Sequence, residues 1–253
     1  IGFFVAGGIS TLCALTMGLF PRQVLMLITD NARLVELGTS YIRIVGFSYI
    51  LNSLSSIYIG MQQSIENPRF GMTVFAISTV CNTAGNYILI FGKLGLPALG
   101  ITGAAIATFS SRVVEFVISL VYALRCKQMP LMPACILRPG KATFRSFVKF
   151  STPVLLNETL WGTGTSLYTV IMGHMAGNTD LISAYTVAGN IDKMVTVAIF
   201  GVAAAAAVIV GKEVGMGGKN AYPIGQALTF VAFCTGFGVA IAEQLLFWLV
   251  LKP

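Results

Sequence analysis

The sequence predicts an all-α polytopic membrane protein, and three observations carry that expectation. Of its 253 residues, 56% are hydrophobic and only 10% charged, against about a quarter charged in soluble domains. Its apolar runs extend for about 20 residues, the length that crosses a hydrocarbon core as a helix. They do not alternate with period two, so backbone groups deprived of water pair within helices rather than around a closed barrel.

About seven spans follow from hydropathy and length, near 2–20, 41–62, 70–92, 100–124, 150–173, 181–210 and 224–251. The first ends at Pro21, and "PRQVLMLITDNARLVELGTSYIRI" after it predicts a short amphipathic segment along the interface. "SIENPRFG" (64–71) reads as a tight loop with Pro68 and Gly71, and "GKLGLPALG" (92–100) as another whose glycines suit turns. "GKEVGMGGKNAYP" (211–223), with its Gly217-Gly218 pair, closes the sixth span. The longest connection, 125–149, carries Arg125, Lys127, Arg138, Lys141, Arg145 and Lys149 and no acid. An excess of basic residues in a loop marks the cytoplasmic side. Alternation then puts Arg69, Lys212 and Lys219 on that side and the sparse loops at 29–40, 93–99 and 174–180 outside. The connection serves either as a topology determinant alone or also in lipid or protein docking. It divides the chain into 1–124, a linker 125–149, and 150–253.

The net charge of +7 belongs to these loops and is not a nucleic-acid footprint. The five cysteines form no CxxC pair. Cys13, Cys81 and Cys234 lie in apolar runs as small hydrophobes, and Cys126 and Cys135 lie in the basic loop, which argues for reduced thiols. The chain opens on Ile1 with no signal-peptide pattern and stops at Pro253 directly after an apolar run, so a fragment is expected.

Polar groups inside spans are costly and face a partner or a cavity. Asn82 and Asn86, at i,i+4 with Thr79 and Thr83 nearby, line either a helix contact or a polar pathway, as do Asn52, Ser53, Ser55 and Ser56. Arg112 and Glu115 sit at i,i+3 on one face and can neutralise each other. Asp192 adjoins Lys193, but neighbouring residues point in different directions, so interface burial and a site role both stay open. The small-residue run "GVAAAAAVIVG" (201–211) suits close helix packing. His174 is the only histidine and the acids are scattered, so no metal site is expected.

Glu158 stands apart. It lies nine residues past Lys149, hence about 13 Å along a helix at 1.5 Å per residue. Trp161, Thr165, Tyr168 and Met172 follow at i+3, i+7, i+10 and i+14, with Asn157 beside it. An acid with two rings and a thioether suits an amphipathic cation, through charge, cation–π contact and adaptable packing. The same carboxyl can carry a proton, or it can simply fasten two helices. Pro153, Gly162 and Gly164 allow that helix to bend or pack closely.

Several stretches then resemble the multidrug and toxic compound extrusion (MATE) transporters. "CNTAGNYILIFGKLGLPALGITGAAIATFSSRVVEFV" (81–117) resembles their fifth and sixth helices. "STPVLLNETLWGTGTSLYTVIMGHMAGNTDLISAYTVAGNI" (151–191) resembles the seventh and the start of the eighth, and "GVAAAAAVIVGKEVGMG" (201–217) the end of the eighth. The branch with DNA-damage-inducible members looks most similar. The resemblance implies a two-lobe helical bundle of twelve helices, of which this chain holds the third to the ninth. It would be a multi-pass protein of a bacterial plasma membrane, and not an enzyme. In that family the seventh helix often carries an acid implicated in coupling, and Glu158 is the acid of this helix, although its interval from Pro153 is shorter than in some members.

The function so implied is secondary antiport: export of cationic or amphipathic drugs or metabolites in exchange for H⁺ or Na⁺ by alternating access. Glu158, Asn157, Trp161, Thr165 and Tyr168 are then the substrate and coupling residues, and Asn82, Asn86, Asp192, Arg112 and Glu115 a polar pathway. No cofactor is expected beyond the coupling ion. The expected partners are an organic cation and the bilayer, with no nucleic acid and a monomeric state. A lipid-linked oligosaccharide flippase of the same superfamily is the alternative, disfavoured by few intramembrane cations, essentially Arg112 and Arg43. A seven-helix receptor or membrane-embedded enzyme is the alternative of another class, and for the enzyme no HExxH or paired intramembrane aspartates occur.

Overall fold

The computed structural model describes residues 1–126, 140–175, 178–218 and 220–250. Its elements are α1 Gly2–Leu19, α2 Pro21–Met26, α3 Ala32–Ser64, α4 Pro68–Phe91, α5 Gly100–Arg125, α6 Lys141–Gly173, α7 Asn178–Gly215 and α8 Ala221–Val250. There is no strand among the described residues. Among the described residues six segments are long and apolar enough to cross a bilayer: α1, α3, α4, α5, Thr196–Gly215 of α7 and Ala221–Leu246 of α8. α6 is long enough but carries Asn157, Glu158 and a run of Thr, Ser and Gly, and does not join them.

Helix ends follow local chemistry. Pro21 opens α2 at a position where its missing N–H costs nothing. The expected interfacial segment shrinks to that short helix, because α3 starts at Ala32 rather than near 41. Asn31 makes this start possible, its side chain accepting from Arg33 N and Leu34 N at 3.1 and 3.4 Å. Pro68 opens α4 in the same way as Pro21 opens α2. Likewise α6 begins at Lys141, so Lys141, Arg145 and Lys149 ride on a helix rather than in the expected loop. Lys127, Cys135 and Arg138 of that loop, and Lys219, lie outside the described residues. Pro153 falls inside the unbroken run of α6. Gly217 and Gly218 turn the chain between α7 and α8 with φ of 114° and 71°.

The 92–100 turn shows why its glycines are needed. Gly92 ends α4 in the left-handed region (φ 64°), and a Cβ there would meet Ala98 N at 2.6 Å. Gly103, in the first turn of α5, lies so close to α4 that a Cβ would meet Leu89 O at 2.6 Å. Further along, a Cβ on Gly85 would stand 3.1 Å from that of Ala107. These small residues draw α4 and α5 into close apposition.

The chain packs as two units, Ile1–Ala176 and Gly177–Pro253. In the first, α5 lies against both α3 and α4, and α3 also packs on α1. Tyr58, Ile59, Phe70, Val74 and Ala123 form a buried cluster with Phe3 and Ile118 against it. Phe70 stacks on Tyr122 at 4.2 Å and meets Tyr58 edge-on at 5.8 Å. Fully buried Gln62 completes this end, donating to Tyr58 OH at 2.9 Å and accepting from Asn67 Nδ2 at 3.1 Å. Asn67 also donates to Tyr122 OH at 3.2 Å, which ties the 64–67 loop to the end of α5. At the opposite end Thr29 Oγ1 donates to Gly173 O at 3.3 Å and His174 Nε2 lies 3.6 Å from Asp30. Within this unit the 64–67 loop thus meets the end of α5, and the 28–31 turn meets the end of α6. In the second unit α7 and α8 pack on each other.

Burial is inverted relative to a water-soluble domain. Ser10, Ser48, Ser55, Ser78, Ser111 and Ser119 are buried while Leu12, Leu19, Met72 and Val80 point outward. Lipid is as apolar as leucine, so small residues pack inside and large apolar ones meet the acyl chains.

Candidate functional site: a polar seam and an exposed acidic face

The close approach of α4 and α5 creates a seam of polar groups. Arg112 Nη1 donates to Glu115 Oε2 at 2.6 Å, the short distance of a charge-assisted bond. Glu115 is fully buried, whereas the Arg112 side chain is 35% exposed, so the arginine reaches inward to neutralise it. From α4, Ser78 Oγ lies 3.3 Å from both Glu115 Oε2 and Ser111 O. One turn along, Asn82 Nδ2 lies 3.5 Å from Thr108 Oγ1 and 3.4 Å from Ser111 Oγ, and Asn86 Nδ2 donates to Asn82 Oδ1 at 3.0 Å. The structure thus brings together four expected pathway residues, Asn82, Asn86, Arg112 and Glu115. Ser78, Thr108 and Ser111 join them although sequence reasoning did not single them out. Their signal was present: Ser78, Asn82 and Asn86 repeat every four residues, as do Ser111, Glu115 and Ser119. Thr79 and Thr83, expected beside the asparagines, point outward instead, because the face of α4 that meets α5 is fixed by Val74, Ser78 and Gly85.

The α6 residues present a different environment. Asn157 and Glu158 are exposed, as are Trp161 (64%) and Tyr168 (62%). Thr165 is half-buried and turns its hydroxyl back to Trp161 O and Gly162 O at 3.2 and 3.0 Å. Glu158, Trp161, Thr165 and Tyr168 share one face by helical spacing, and among the described residues only Gly173 of α6 is buried. Asp192, in the second unit, is exposed and its carbonyl accepts from Thr196 Oγ1 at 2.7 Å. Among the described residues no three metal-ligating side chains converge. Cys13, Cys81 and Cys234 are free thiols.

Comparison with known proteins adds to this geometry. A family model described as MatE matches residues 1–88. A probable multidrug resistance protein NorM of Thermotoga maritima is 23% identical over 180 residues, covering 71% of this chain and 38% of that protein. Its namesake in Oceanobacillus iheyensis is 30% identical over 187 residues, 72% of this chain and 39% of the relative. A third in Bacillus thuringiensis is 26% identical over 236 residues, 88% and 49% respectively. The chain thus spans less than half the length of these relatives. Its described apolar helices suit a multi-pass membrane protein, and these relatives are bacterial proteins named for multidrug resistance. Family model, relatives and helical architecture agree in their similarity to the multidrug and toxic compound extrusion family.

Proposed function

We propose that this chain is part of a secondary antiporter that exports cationic or amphipathic compounds in exchange for H⁺ or Na⁺. The reading is supported by the multidrug-resistance names of the relatives and, in the geometry, by one observation above all. Glu158, Trp161 and Tyr168 share an unburied face of α6, where a carboxylate and two rings are free to receive a ligand. On this reading residues 1–124 and 150–253 belong to two lobes joined by the basic 125–149 linker. One acid that holds either the coupling ion or the cationic substrate, but not both, makes the two ligands compete, which is what exchange requires. The neutralised Arg112 weakens the flippase alternative, since a guanidinium engaged by Glu115 is not free for a pyrophosphate.

The test is Glu158→Gln in protein expressed from the full reading frame and reconstituted in vesicles. Gradient-driven efflux of a fluorescent organic cation should be lost while the protein stays folded. Transport at the unaltered rate would remove Glu158 from the coupling step.

A further inference from the structure

Among the described residues, three buried side-chain polar atoms lack a hydrogen-bond partner: Asn86 Oδ1, Glu115 Oε1 and Ser119 Oγ. All three lie along the α4–α5 seam, and two of them are on α5 one turn apart. Glu115 is fully buried and Ser119 is 3% exposed. Arg112 and Ser78 both serve Oε2, which leaves the other carboxylate oxygen without a donor. A buried carboxylate oxygen retains acceptor capacity that is costly to leave unmet. Ser119 also departs from local habit, because Ser48, Ser55, Thr108 and Ser111 all bond carbonyls of their own helix.

We propose that Glu115 Oε1 and Ser119 Oγ together bind one water molecule, which forms a hydrated station beside the Arg112–Glu115 pair inside the first unit. Two polar partners are the minimum for an ordered buried water, and immobilising it costs less than leaving a carboxylate oxygen dry. Ser119 also borders a cavity of about 250 Å³ with Phe3, Leu54, Ser55, Tyr58 and Phe116. A metal cation fits poorly, since the guanidinium on the same carboxylate repels it and only one hydroxyl completes the ligand set. The water connects the unserved Oε1 of buried Glu115 to exchangeable protons. The inference concerns the α4–α5 seam and holds or fails independently of any role for Glu158.

The test uses the full-length protein. A structure at a resolution that shows waters should contain a peak within hydrogen-bond distance of both atoms in the wild type and in Ser119→Thr, and none in Ser119→Val. In Ser119→Cys, the added S–H infrared band should shift to its S–D position promptly in D₂O. An empty site with Ser119 turned onto its helix carbonyl would overturn the proposal. So would a peak whose occupancy follows Na⁺ concentration, or an S–H band that persists for hours in D₂O.

Discussion

Glu115 and Glu158 are both carboxylates on long helices of one chain, and they live in opposite conditions. Glu115 is fully buried, held by Arg112 at 2.6 Å and approached by Ser78 from the neighbouring helix. Glu158 is exposed on α6, flanked along its face by exposed rings. A buried acid with its own cation is costly to disturb and hard for a ligand to reach. An unburied acid without such a cation contributes little to the fold and is open to a ligand. In the proposed reading the seam chiefly holds helices together, and the α6 face is where an exchangeable charge acts.

Unfolding of the purified chain in detergent offers the most direct way to break this contrast. Glu115→Ala leaves the Arg112 guanidinium without its acceptor, while Ser78 keeps Ser111 O, and removing one partner of a buried pair costs about 3–5 kcal/mol. The partial exposure of Arg112 puts the expected value at the low end. Glu158→Ala should change stability by less than about 0.5 kcal/mol. Equal losses from both acids would erase the distinction. The second largest effect is expected at Gly103→Val. The obstruction there is the backbone carbonyl of Leu89, which cannot swing aside as a side chain would. Overpacking costs about 1–3 kcal/mol, and here the upper part of that range applies. Separation of α4 from α5 should accompany it, visible as raised reactivity of an Asn82→Cys probe relative to the same probe with Gly103 intact.

Much of this was legible in the sequence. Seven of the eight helices were visible as apolar runs, and the Gly92–Gly103 turn was visible as punctuation. The Arg112–Glu115 pair followed from spacing alone, since i,i+3 neighbours on a helix share a face. Helix rotation was not legible. Thr79 and Ser78 are equally polar, and only the packing of Gly85 against Ala107 and Gly103 against Leu89 decides which one meets α5. The start of α3 was misread because an apolar-run criterion is blind to a cap, and Asn31 extends the helix well outside the apolar span. For α6 the sequence correctly showed an acid and two rings on one face. Spacing alone, however, cannot say what that face meets, because burial depends on partners from elsewhere in the fold.

Two aromatic truncations sharpen the comparison where no charge is involved. Phe70 is 8% exposed and stacks on Tyr122 at 4.2 Å. In lipid or detergent the transfer term of a core truncation nearly vanishes, because the surroundings are as apolar as the core. The cavity term remains, at ~24 cal/mol per Å³ over a lost ring of ~100 Å³, and gives roughly 2 kcal/mol for Phe70→Ala.

Trp161→Ala removes a larger ring and should nevertheless cost less than about 0.5 kcal/mol. Trp161 is 64% exposed on α6, so its deletion opens no cavity and breaks no buried hydrogen bond. If the ring belongs to a ligand site, its loss should appear instead as weaker binding of an organic cation, by the 0.5–2 kcal/mol range of a cation–π contact. Fluorescence quenching of Trp161 by a titrated cation, read against Trp248 in a Trp161→Phe variant, separates the two effects. A destabilised Trp161→Ala protein with unchanged cation affinity would mean that the α6 face packs on protein. The ring would then act as Phe70 does, and the contrast between the two regions would be one of position rather than of role.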